Sequence, residues 1–306
     1  MPRIPEHLQQ ALSKGSVVPF VGAGVSLAAR DGQGKPLFPS WGQLFERAVD
    51  RLERENKPDD AQLVRLLAKK NEFLEAARRA KEALGGLWMP FLTETFDPPR
   101  AVAGLEVAHA IWKLGSKLIM TTNYDRVLDW TCPEKSPRRL TPSDKAGFGA
   151  LSPGRCERET VWHLHGHVEK PDEIILTLAS YEKLYASADY EAARATLREH
   201  LKSLTFVFIG FGMEDALRQQ MEWVKDTFGG WGGPHYLLVR EAQREHFVRE
   251  LKGSRVEFVT FADFDDLPQL MEDLAQYSRA PGAKNESTRA TPKSSGTGND
   301  NRPDRS

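Results

Sequence analysis

Four short strings in this chain hold residue types that can bind an anion and move a proton. Gly22-Ala23-Gly24-Val25-Ser26 follows a continuous apolar run beginning at Val17. Such a run reads as a strand buried on both faces. A strand that empties into glycines and a helix start presents N–H groups and the positive end of a helix dipole, which suits a phosphate. The string lacks the third glycine of the dinucleotide fingerprint and the Gly-Lys-Ser/Thr of a P-loop. ATP or GTP hydrolysis is therefore disfavoured, and an ordinary strand-to-helix turn stays open. Thr121-Thr122-Asn123-Tyr124-Asp125 closes a second apolar run. Asn123 offers both a donor and an acceptor without charge; its structural alternative is to cap a helix over 124–130, with Asp125 serving that helix's dipole. His163-Leu164-His165-Gly166-His167 alternates, so three imidazoles can share one strand face, as a metal site would need. Against a metal, Gly166 ends the strand and no nearby Asp or Cys pair completes a ligand set. A histidine here can equally take a proton near neutral pH, or be a satisfied core residue. Gly210-Phe211-Gly212 ends a further apolar run.

The elements that must position these strings follow from periodicity. The spacing predicts a helix over 5–14, a strand before Gly22, and a polar, glycine-rich run at 31–36 that serves as a flap or a plain surface loop. Ser40 and Gln43 form a capping box, after which Trp41, Leu44, Phe45, Ala48, Val49 and Leu52 fall at helical spacing. Residues 59–114 stay helical, interrupted near Asn71, Gly85-Gly86 and Asp97-Pro98-Pro99. Strands are expected at 117–122, 161–168, 173–177, 205–210, 235–240 and 256–261. Helices are expected at 126–130, from about Ser180, after Gly212 with Leu217, Met221 and Val224, and after each of the last two strands. The 131–160 stretch reads as a functional or partly ordered loop, with Arg138 and Arg139 solvated in it. Strand–helix alternation implies an α/β fold, a doubly wound, mostly parallel, Rossmann-like sheet with an all-helical insert at about 40–115. One domain over 1–280 and a disordered tail over 281–306, rich in Pro, Gly, Ser, Thr and Asn, complete the expected organisation.

Composition narrows the classes. Lys plus Arg at 42 nearly cancels Asp plus Glu at 43, so no global basic field argues for direct nucleic-acid binding. No apolar stretch approaches membrane-spanning length, and two cysteines without an apolar leader suit a reducing cytoplasm.

Taken in order, Gly22 to Ser26, Thr121 to Asp125, His163 to Gly166 and Gly210 to Gly212 make residues 15–265 resemble the sirtuin superfamily. The similarity is greatest to its bacterial NAD-consuming members of anti-phage defence. The resemblance implies a sirtuin-type NAD site, with Gly22, Ala23, Gly24 and Ser26 at the phosphates. It places Asn123 and His165 at the reacting ribose as the catalytic pair, Asp125 near nicotinamide, and Gly210 and Gly212 at adenosine. It implies NAD as substrate, a homo-oligomer, and a sensor partner such as a helicase-type ATPase or an Argonaute. Breaking the ribose–nicotinamide bond develops oxocarbenium character and frees a neutral leaving group, so a neutral, oriented site suffices. Asn123 can hold a ribose hydroxyl or a water by two kinds of hydrogen bond, and His165 can accept the proton. Two departures from protein-deacetylating sirtuins favour NAD hydrolysis over lysine deacylation. Two cysteines cannot build their four-cysteine zinc module, so no structural zinc is expected, and Phe38-Pro39-Ser40-Trp41 stands where they carry Asp-Phe-Arg.

Overall fold

The computed structural model describes residues 4–149, 151, 156–212 and 233–278. Among these, seven strands form one parallel sheet: β1 (Val17–Val21), β2 (Leu118–Thr121), β3 (Arg138–Leu140), β4 (Thr160–His163), β5 (Thr205–Ile209), β6 (His235–Arg240) and β7 (Val256–Phe261). Their order is β3-β4-β2-β1-β5-β6-β7. From β1 the chain passes to β2, then to the edge strand β3 and back to β4 between them, before β5, β6 and β7 extend the other side in succession. The fold is thus α/β and Rossmann-like, with its topological switch point between β1 and β5, where such sheets open a crevice at their carboxyl edge.

Burial on both faces explains the unbroken apolar runs. Val17 and Val21 of β1 join one core, and Val18 and Phe20 join the other. The first core is covered by the helices between β1 and β2, namely Trp41–Arg54, Pro58–Lys69, Phe73–Leu84, Trp88–Phe96 and Glu106–Trp112. Helix Leu267–Ser278 packs on this side, against Glu6–Ser13 and Glu106–Trp112. The second core is covered by Glu191–Ser203 and Glu241–Glu250. Trp41–Arg54 begins with the expected box: the Ser40 hydroxyl accepts from the Gln43 N–H, and the Gln43 side chain accepts from the Ser40 N–H.

Three expectations need correction. The apolar residues at 173–177 form no strand: Pro171–Glu173 is a 3-10 turn, and of the extended residues after it Ile175 N–H bonds the His165 carbonyl at 2.9 Å and Leu176 N–H bonds Ser180 Oγ, in the first turn of helix Leu178–Ala186, at 3.0 Å. Within 131–160, Arg138–Leu140 is a parallel edge strand on β4, and a short helix follows at Lys145–Phe148. Arg139 is not a solvated loop residue. It bonds Asp129 through Nε and Glu169 through Nη1, both at 2.9 Å. The helix expected after Gly212 and the tail from 281 lie outside the described residues.

Candidate functional site

A cleft of about 460 Å³ runs along the carboxyl edge of the sheet. Asn123 and Asp125 after β2 and His165 after β4 line one end, Ala23, Gly24 and Ser26 after β1 the middle, and Gly210 and Gly212 after β5 the continuation towards β6 and β7. Gly22 stands just behind, through its carbonyl. Phe38, Trp41, Phe96, Phe211, Phe261 and Phe264 supply much of the apolar wall. This volume falls within the range of small-molecule sites.

The glycines bring two turns together at the switch point. Gly22 N–H bonds the Ile209 carbonyl and Gly24 N–H bonds the Gly210 carbonyl, each at 2.8 Å. A Cβ at Gly22 or Gly24 would stand 2.8 or 2.7 Å from the Gly210 oxygen, a distance real side chains do not reach. These two N–H groups are therefore spent inside the protein rather than offered to a phosphate. The helix after them, Ala23–Leu27, is five residues long.

Asn123 is fixed from four directions. Its amide Nδ2 donates to the Gly22 carbonyl at 3.0 Å and to Ser26 Oγ at 2.9 Å. Its main-chain N–H donates to Thr121 Oγ1 at 3.0 Å, whose hydroxyl in turn donates to the Val21 carbonyl at 2.8 Å. Its carbonyl accepts from His163 Nδ1 at 2.8 Å. With both amide protons engaged, only Oδ1 remains for the cleft. The expected two kinds of hydrogen bond reduce to one: towards a ligand, Asn123 is an acceptor. Ser26, expected at the phosphates, is buried, and its hydroxyl serves Asn123. Thr121 and His163 were not singled out as positioning groups. For Thr121 a local signal existed, a threonine two residues before Asn123, whereas His163 meets Asn123 through the pairing of β2 with β4, in register opposite Thr121.

Asp125 is buried, and burial raises its pKa against the lowering effect of the Val127 N–H at 2.9 Å and of the Ser26 hydroxyl. His165 lines the cleft with its Nδ1 3.4 Å from the Tyr181 hydroxyl and its ring edge-on to Tyr181 at 5.1 Å. Burial lowers its pKa to about 4, so it is neutral at pH 7. Gly166, at φ 89°, turns the chain directly after it.

The three imidazoles do not converge. His163, bonded to the Asn123 carbonyl, meets His167 edge-on with ring centres 4.5 Å apart, while His165 turns to Tyr181. Among the described residues, no three His, Cys, Asp or Glu side chains are placed to share a metal ion. Behind the site, Asp97, Arg126, Glu169, Arg139 and Asp129 form a continuous ladder of ion pairs. Burial would raise the Asp129 pKa, but His167, His163 and Arg139 hold it below its ordinary value.

Residues 117–259 match the family model described as a SIR2-like domain. The chain is similar to the NAD(+) hydrolase ThsA of Enterococcus faecium, 25% identical over 250 residues that cover 79% of this chain and 47% of that protein. Its counterpart in Cytobacillus dafuensis is 27% identical over 248 residues, covering 80% and 45%. That of Bacillus cereus (strain MSX-D12) is 22% identical over 293 residues, covering 89% and 56%. The chain thus spans about half the length of the curated relatives it matches.

Proposed function

From the match of residues 117–259 to the SIR2-like domain model and the geometry of the site, we propose that the cleft hydrolyses NAD+ to nicotinamide and ADP-ribose. The observation that carries the reading is the pairing, on one cleft, of an amide held as an acceptor, Asn123, with a buried neutral imidazole, His165. The relatives named as NAD(+) hydrolases support the same reaction.

In this reading the dinucleotide lies along the sheet edge, nicotinamide riboside by Asn123, Asp125 and His165, pyrophosphate over the β1 turn, adenosine towards Gly210 and Gly212. The bond between ribose C1′ and the nicotinamide nitrogen breaks with its electron pair going to nicotinamide, which leaves neutral. A water forms the new C1′–O bond. Asn123 Oδ1 accepts from that water or from a ribose hydroxyl, and His165 takes the proton released. Low polarity in the cleft strengthens both hydrogen bonds at the moment charge develops. A cyclised product would arise if a group of the substrate replaced water. The resemblance further supports a role as the NAD-depleting effector of a bacterial defence system, with self-assembly or a sensor protein controlling access. None of the described helices is long and apolar enough to cross a membrane.

Purified protein incubated with NAD+, alone and with candidate partner proteins, tests this by chromatography of nicotinamide and ADP-ribose. Asn123→Ala and His165→Ala are each expected to lower nicotinamide release by at least about 100-fold, the scale of a lost general base or preorganised polar group. Full activity in either variant removes that residue from the mechanism. NAD+ bound but intact under every condition makes the protein a sensor, and dependence on an acyl-lysine or protein acceptor makes it a transferase.

A further inference from the structure

The two ends of the cleft differ in charge. Asp125 is the one carboxylate among the lining residues, and it belongs to the β2 end. At the other end stands Arg240, the last residue of β6 and the one Lys or Arg among the lining residues. Its guanidinium lies 4.5 Å from the centre of the Phe264 ring, and its Nε donates to Gln243 Oε1 at 3.3 Å. Phe264 is 56% exposed at the cleft mouth. Carboxylates stand close by, but Asp263 accepts from the Phe264 N–H at 2.7 Å and Asp266 from the Asp263 N–H at 2.9 Å. Among the described residues no acid is paired with Arg240, and its Nη groups have no protein partner.

A guanidinium held on an aromatic face, with no ion-paired acid among the described residues, is a preorganised anion site. In dinucleotide clefts an acid at the adenosine ribose takes the 2′-hydroxyl, whereas an arginine accommodates a 2′-phosphate. The strand order puts Arg240 beyond the β5 turn, on the side away from Asn123 and His165. We propose that Arg240 binds the 2′-phosphate of a phosphorylated adenosine, so that the cleft admits NADP+ and holds it more tightly than NAD+. This rests on reading the cleft as a dinucleotide site with adenosine towards β6.

The test is calorimetry of the intact chain with two non-hydrolysable probes, 2′,5′-ADP and 5′-AMP, at low and high salt, beside nicotinamide release from NADP+ and NAD+. The expected result is 2′,5′-ADP binding at least about tenfold tighter at low salt, with the margin narrowing at high salt and the same order in kcat/KM. In Arg240→Ala that ratio should collapse towards one, and in Arg240→Lys part of it should remain, with melting temperatures verifying that both variants fold. Equal affinity for the two probes, or a ratio unmoved in Arg240→Ala, overturns the assignment while leaving NAD+ hydrolysis standing. If neither probe binds and neither dinucleotide is cleaved, the dinucleotide reading fails together with it.

Discussion

At the residue scale, the site works by removing choices from side chains that have several. Gly22 and Ser26 use both amide protons of Asn123, and the Tyr181 hydroxyl sits on one nitrogen of His165, leaving Oδ1 and Nε2 as the groups for a ligand. His163 must carry its proton on Nδ1, because the Asn123 carbonyl can only accept. A consequence concerns pH. An imidazole accepts a proton only when neutral, and burial moves the His165 pKa from an ordinary 6.5 to about 4. The rate of NAD+ cleavage should therefore stay level on acidification through pH 6.5 and fall only as pH approaches about 4. A rate profile with a limb at 6.5 would assign the proton transfer to a different group. The candidate residues themselves were legible, because glycine pairs and polar residues that end apolar runs are local signals. What each side chain bonds was not, since Gly22 and Asn123 meet only through the pairing of β1 with β2.

At the element scale, turns decide whether these side chains share a cleft. Gly166 is the sharpest case: φ is 89°, and a Cβ there would stand 2.6 Å from the Glu173 carbonyl. Gly166→Ala should cost about 1–3 kcal/mol of stability and also lower activity by displacing His165. Gly42→Ala is the control, since a Cβ there meets nothing within 4 Å and position 42 lies in the first turn of a helix. Thermal melts and nicotinamide release on both variants check this, and a Gly166→Ala protein as stable and active as its parent refutes it. The same scale explains which elements the sequence revealed. β1, β2, β5 and β6 were readable as apolar runs because a parallel strand inside the sheet is covered on both sides, whereas edge strand β7, Val-Glu-Phe-Val-Thr-Phe, is interrupted by Glu257 and Thr260 and only partly buried. β3 was not, because Arg138-Arg139-Leu140 is three residues long on an edge, where its arginines can pair with acids beside the sheet. Ile174, Ile175 and Leu176 misled in the opposite direction: they are buried, yet their partners are turn, loop and helix-cap atoms rather than a strand.

At the scale of the whole molecule, burial of titratable groups links stability to pH. His163, His165 and His200 all have pKa values lowered by burial, the first two to about 3 and about 4. An unfolded chain binds protons at these positions from about pH 6.5 downward while the folded chain refuses them. Their stabilisation is thus complete above the unfolded value and is lost as pH falls towards the folded ones, at up to about 1.4 kcal/mol per pH unit for each histidine. Asp129 and Glu169, both held below their ordinary values, act in the same direction at lower pH, and Asp125, raised by burial, opposes them. The melting temperature should fall steadily between pH 6.5 and pH 4.5; a constant value over that interval would mean that these rings are hydrated in the folded state. The sheet order has another effect, during synthesis. β1 lies between β2 and β5, yet its first neighbour begins only at residue 118 and its second at residue 205. At the usual ribosomal pace of about 5–20 residues per second, the run Val-Val-Pro-Phe-Val waits about 10–40 s for its second partner. An apolar strand left open that long invites pairing with another nascent chain. Pro19, which has no N–H to offer, breaks the row of donors at its centre and so weakens any such pairing of the strand that will carry the cleft.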